Sequence, residues 1–153
     1  MKIIMMWFLA ICCLTLKAQT TRNDGTIDFC FRKFEIPADC SKTGNFEVKR
    51  KDFEFSWVYV SDDNLLFASN GLLKKLETYK DFNKQKISCF ILNKKVNGYK
   101  VSFKRGNETV YQIIAYGIIH DQPVMVQLGL KREPITNADI PDFAFQFVHL
   151  NNM

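Results

Sequence analysis

From Val96 to Leu130 the chain reads VNGYKVSFKRGNETVYQIIAYGIIHDQPVMVQLGL, three apolar runs divided by two turn sequences. No other stretch limits the fold as tightly. Tyr99, Val101 and Phe103 alternate with Lys100, Ser102 and Lys104, the two-residue period of a half-buried strand. Gly106-Asn107 and Asp121-Gln122-Pro123 supply turn chemistry. Val110 to Ile119 is apolar at odd and even positions alike, which predicts a central strand covered on both faces. Val124, Val126, Leu128 and Leu130 then point one way, and Met125, Gln127 and Gly129 the other. Such a meander needs covering layers, and the flanking segments are expected to supply them.

Upstream, Ile27 to Ile36 is strand-like, with a phase slip that predicts a bulge or break near Arg32-Lys33. Pro37 to Asn45 is turn chemistry, and Phe46 to Ser61 holds two further strand-like runs. In the second run Phe53, Phe55, Trp57 and Tyr59 share one face. From Asp62 to Lys80 the period changes to that of a helix capped by Asp62 or Asp63, with Leu65, Leu66, Ser69, Leu72, Leu73, Leu76 and Tyr79 on its apolar side. Ile87 to Asn93 predicts another strand, and Asn97-Gly98 a hairpin turn after it. Thr136 to Leu150 predicts a last helix, capped at Asp139 with Pro141 in its first turn and Ile140, Phe143, Ala144, Phe147, Val148 and Leu150 as its stripe. The expected fold class is α+β: a twisted antiparallel sheet of about six to seven strands with two helices packed on it.

This order of elements resembles that of the PsbP-like and DcrB-like small exported proteins. The residues that carry the likeness are Phe34-Glu35-Ile36-Pro37, Gly98-Tyr99-Lys100-Val101, Val110-Tyr111-Gln112 after a Gly-Asn turn, and Asp139-Ile140-Pro141-Asp142-Phe143. The resemblance implies an envelope or lumen protein that acts by binding or assembly. It brings no catalytic residues with it.

Residues 1–18 are expected to be a secretory signal peptide: Lys2 begins it, Ile3 to Leu16 is its apolar run, and Leu16-Lys17-Ala18 offers the cleavage site. The run falls short of the ~20 residues of a membrane span. Residues 19–26 are expected to be a flexible leader and 27–153 one domain. Without Lys2 and Lys17, 19 of the 21 cations face 16 carboxylates, a formal charge of +3. A charge this mild argues against a nucleic-acid partner. Membrane association is expected only if the signal segment is retained or lipidated at Cys12 or Cys13. Cys30, Cys40 and Cys89 remain outside the signal segment. In an oxidising compartment one disulfide and one free thiol are expected: Cys30–Cys40 closing a short loop, or either of these bridged to Cys89.

The sequence holds no CxxC, HExxH, GxSxG, GxGxxG or phosphate-binding loop. His120 and His149, the two histidines, have no ligand spacing with the cysteines. No metal, cofactor or enzymatic activity is expected. Lys49-Arg50-Lys51 reads as a solvated or edge-protecting run. Trp57, Tyr59, Tyr99, Tyr111 and Tyr116 are candidate binding residues, since aromatics with polar tips suit a groove or interface if they share a face. The turns at Asn107 and Asp121 are alternative functional surfaces. The expected function is that of an exported, periplasmic or secreted binding or assembly factor acting on another envelope protein. The alternative is an immunity or inhibitor protein against a toxin or hydrolase.

Overall fold

The computed structural model describes residues 25–151. The expected signal peptide, most of the leader, and residues 152–153 lie outside them. Ten strands and one long helix follow in order: β1 Thr26–Phe29, β2 Arg32–Glu35, β3 Ser41–Gly44, β4 Glu47–Lys49, β5 Phe53–Tyr59, α1 Asp62–Leu76, β6 Lys80–Ile91, β7 Lys94–Arg105, β8 Glu108–Ile119, β9 Gln122–Leu130, the one-turn α2 Asp142–Phe145, and β10 Val148–Leu150. Strands β3 to β10 form one antiparallel sheet of eight strands in the order β10-β6-β7-β8-β9-β5-β4-β3, and β1-β2 is a separate hairpin. The fold is therefore mostly β. The expected α+β layout, with two helices on six to seven strands, is corrected on both counts.

The second helix is lost because its apolar stripe is buried by a different path. Thr136 caps a single tight turn over Asn137–Asp139, with Asp139 as the third residue of a capping box, so Asp139 is not the cap itself. Pro141 then leads into α2, which ends after four residues. Beyond it, Val148 and Leu150 pair with Ile91 and Cys89 on the edge of β6. That edge offers backbone groups which a helix could not satisfy.

A second correction concerns Asn97-Gly98. The hairpin turn lies instead at Leu92-Asn93, and Asn97 and Gly98 sit in mid-strand, opposite Ser88 and Ile87. Glycine is needed there for space: a Cβ on Gly98 would stand 2.7 Å from the Ile114 carbonyl oxygen and 2.9 Å from Cys89 Sγ. The polar stretch Lys80–Lys86 becomes strand because β7 pairs with it, although its side chains other than Phe82, which packs against the layer under α1, are exposed. The slip expected near Arg32-Lys33 is a turn two residues earlier, with Cys30 at φ 47° and Phe31 at φ 63°. Gly25 and Thr26, expected in the leader, belong to the hairpin, since Ile36 N–H donates to the Gly25 carbonyl at 2.7 Å.

The two sheet faces bury different layers. On one, the β1-β2 hairpin and the C-terminal segment cover Val48, Phe55, Ile113, Val126, Leu128 and their neighbours. Phe147 is the hub: it stacks on Phe55 (4.7 Å), meets Phe34 (4.5 Å), and takes Phe29 (5.5 Å) and Phe143 (5.1 Å) edge-on. On the other face α1 lays Leu65, Leu73 and Leu76 over Val101, Phe103, Ile114 and Met125. Ser61, and not Asp62 or Asp63, precedes its first turn, and Asn70-Gly71 runs through it unbroken. Asp62 and Asp63 at its start and Lys74 and Lys75 at its end suit the helix dipole.

Phe147→Ala is expected to cost about 3–5 kcal/mol in denaturant unfolding, because it empties the centre of this aromatic cluster. Phe67→Ala, at a position 78% exposed, should change stability by no more than about 0.5 kcal/mol. Gly98→Ala should destabilise by about 1–3 kcal/mol through overpacking. Gly71→Ala, inside α1 and with nothing near its missing Cβ, should stabilise by about 0.5–1 kcal/mol.

Candidate functional site

Helix α1 does not reach the whole of its sheet face. Cross-strand register places Lys49, Glu54, Gly129 and Gln112 in one row, and Glu47, Ser56 and Gln127 in the next. Of these, Lys49, Glu54, Gly129, Gln112, Ser56 and Gln127 floor a groove of about 300 Å³. Its walls are the β4–β5 turn, with Arg50, Lys51 and Asp52, and the β7–β8 turn, with Arg105 and Glu108; Lys131 closes one side. Gly129 leaves a notch in the floor, since a Cβ there would only graze Glu54, at 3.7–3.8 Å.

The charges around the groove are unevenly satisfied. Arg50 grips Asp52 with two nitrogens, at 2.6 and 2.8 Å, and lies over the Phe53 ring. The hydrogen bonds from Arg50 hold the Asp52 carboxyl below its ordinary pKa. Lys49 stands 3.7 Å from Glu54. Lys51, Arg105 and Lys131 make no ion pair among the described residues. On the floor the Gln112 side-chain oxygen is buried and has no hydrogen-bond partner among the described residues. An unsatisfied buried acceptor costs about 1–3 kcal/mol, which a ligand donor would recover. Glu108 on the same wall is likewise outside any ion pair among the described residues, so three such cations face one such carboxylate; with this cationic excess and an open amide below, the groove can take carboxylate-bearing surface that also carries N–H or O–H donors.

The five candidate aromatics do not share a face. Trp57 is 4% exposed and packs in the hairpin-covered layer, stacked on Phe55 at 5.4 Å. Tyr59 and Tyr111 border that same layer. Tyr59 is a structural brace: its hydroxyl accepts the Cys30 N–H at 2.8 Å. Tyr99 and Tyr116 lie on the opposite face, stacked at 6.4 Å in the layer beneath α1. Burial raises the phenol pKa of both Tyr59 and Tyr116.

Cys30, Cys40 and Cys89 are buried free thiols, and the expected bridge is not formed. Each occupies its own niche: the β1–β2 turn, the start of β3 beside Asp39, and the space under Gly98. Burial pushes the Cys30 thiol up to about 11, against the opposing Tyr59 hydrogen bond, and the Cys89 thiol up to about 12. Cys40 is also raised, by burial and by the Asp39 charge. All three are therefore poor nucleophiles. His149 is stacked between Phe90 (4.9 Å) and Phe145 (4.9 Å), and burial lowers its pKa. His120 Nδ1 lies 3.2 Å from the Cys30 carbonyl oxygen. Among the described residues no three His, Cys, Asp or Glu side chains cluster to hold a metal, and no helix is long and apolar enough to cross a membrane.

The groove residues Gln112, Gln127, Arg105 and Lys131 escaped the sequence-based selection of candidates. Their signal was faint but present: Gln112 and Gln127 interrupt otherwise apolar strands, and Arg105 flanks the Asn107 turn. No family model matches the chain, and no curated protein matches it.

The raised thiols set a pH dependence. A group whose folded pKa exceeds its unfolded value stabilises the fold below the unfolded pKa, near 9 for these thiols, and loses that contribution as pH rises toward the folded value. Unfolding free energy should fall between about pH 9 and 12, and Cys89→Ala should flatten that decline. In protein beginning at Gln19, a thiol reagent at neutral pH should react slowly with the folded chain and should count all three thiols in denaturant.

Proposed function

We propose that this chain is a non-enzymatic exported binding or assembly protein, and that it holds another envelope protein through the groove on the part of the sheet face that α1 leaves uncovered. The observation that carries the proposal is the pairing of an orphaned Gln112 carbonyl with three unpaired cations, Lys51, Arg105 and Lys131, around one open groove. A surface of this kind fits an acidic segment of a partner. Its carboxylates would meet the cations, and its backbone N–H groups would meet the floor amides. The residues lining the groove include no histidine or cysteine. The sequence resemblance to small exported binding proteins and the signal-like residues 1–18 support the same assignment. An immunity or inhibitor protein is the special case in which the partner is a toxin or hydrolase.

Affinity purification from the native envelope fraction, followed by mass spectrometry, is expected to recover one near-stoichiometric partner. The double variant Arg105→Glu/Lys131→Glu should lose it, with the melting transition unchanged. Each exposed charge pair lost weakens binding by about two- to fivefold, and reversal by more. Recovery of nothing, or of a partner that the double variant retains, would overturn the assignment to this groove. A toxin or hydrolase as the partner would select the immunity function.

A further inference from the structure

Three hairpin turns converge at the end of the sheet opposite the groove: Cys30-Phe31, Leu92-Asn93 and His120-Asp121. Between them lies a depression of about 210 Å³ lined by Arg32, Leu92, Asn93, Lys94 and His120 together with buried Ile91 and Ile119. Its lining contains cations and no carboxylate. Arg32 and Lys94 make no ion pair among the described residues, and neither does Lys95 beside them. Asp121 is the carboxylate of these three turns, and Lys33 is placed opposite Asp28 across the hairpin.

At the tip of the first turn stands Phe31, 77% exposed and at φ 63°. Asparagine or glycine ordinarily fills such a left-handed position, because a larger side chain strains it. Cys30 has a packing reason to be there, since its thiol is buried and its backbone is held by Tyr59 and His120. Phe31 has none: its ring is presented to solvent at a strained site where folding gains little from it. An exposed aromatic next to uncompensated cations matches the chemistry of an anionic membrane surface, which offers an apolar layer just beneath a sheet of phosphates.

We propose that this end of the sheet docks peripherally on an anionic membrane. Phe31 enters the headgroup layer, Arg32 and Lys94 meet lipid phosphates, and the neighbouring His120 imidazole borders the same depression. The attachment needs neither a spanning helix nor a lipidated or retained signal segment, and so goes beyond the association expected from the sequence.

Vesicle flotation tests this with chain lacking residues 1–18, which keeps every described residue. Equimolar phosphatidylglycerol and phosphatidylcholine vesicles should carry the protein, and phosphatidylcholine vesicles should not. Arg32→Gln and Lys94→Gln should each weaken binding about fivefold. Phe31→Asn, which suits the left-handed backbone and should leave the fold intact, should weaken it about tenfold. Failure to float with the mixed vesicles would overturn the proposal. So would equal binding to both compositions, or binding indifferent to all three variants. Chemical-shift changes on adding inorganic phosphate, without flotation, would identify a small-anion site and also overturn it. The lipid dependence of the unmodified chain decides the matter even if a variant unfolds.

Discussion

The contact on which most of the structure depends is the insertion of Phe147 between the β1-β2 hairpin and the sheet. Neither the hairpin nor the C-terminal segment could hold its place alone. A two-stranded hairpin is marginal in water, and a four-residue helix is shorter than an isolated helix can sustain. Phe147 joins them by meeting Phe29 and Phe34 on one side and Phe55 and Phe143 on the others. Its carbonyl oxygen also accepts the Leu92 N–H at 2.8 Å, tying the segment to the β6–β7 turn. The same residue thus secures a face, an edge and a turn.

With that face closed, the other is left to a single helix. Helix α1 spans Asp62–Leu76 and packs on β8 and β9, so it cannot also cover β4 and the outer half of β5. The side chains there are Lys49, Glu54, Ser56, Gln127 and Gln112, and burying them beneath a helix would demand partners for each. The groove is the consequence: a sheet face too polar to bury, left open where its cover ends.

How much of this was legible in the sequence depended on whether the deciding force was local. The meander from Tyr99 to Leu130 and the helix from Asp62 were written in their periods, and β8 does lie inside the sheet, between β7 and β9. Asn97-Gly98 misled because a glycine needed for close approach has the same spelling as one needed for a turn; only the presence of Ile114 and Cys89 beside it separates the two. Thr136–Leu150 misled because burial on a helical period can also be met by a turn, a short helix and a strand. The five aromatics fell on two faces because pairing fixes each strand's parity: Trp57, Tyr59 and Tyr111 meet the hairpin-covered layer, while Tyr99 and Tyr116 meet the α1 layer, Tyr111 and Tyr116 having opposite parity on β8. The groove was least legible of all, since its polar residues lie on four strands and only the pairing of those strands, with the point where α1 stops covering, brings them together.

Strand β8 runs from the groove to the depression. It begins at Glu108 on the wall of the groove and ends at Ile119, against the depression bordered by His120. Twelve residues of antiparallel strand span about 40 Å. A membrane held at the His120 end would therefore leave the Glu108 end pointing away from the bilayer. The groove would then stand clear of the lipid, at the distance of a small domain's diameter. A partner in the groove and a membrane at the depression would not compete for surface, because the hairpin geometry that alternates turns along a meander puts β7–β8 and β8–β9 at opposite ends by necessity.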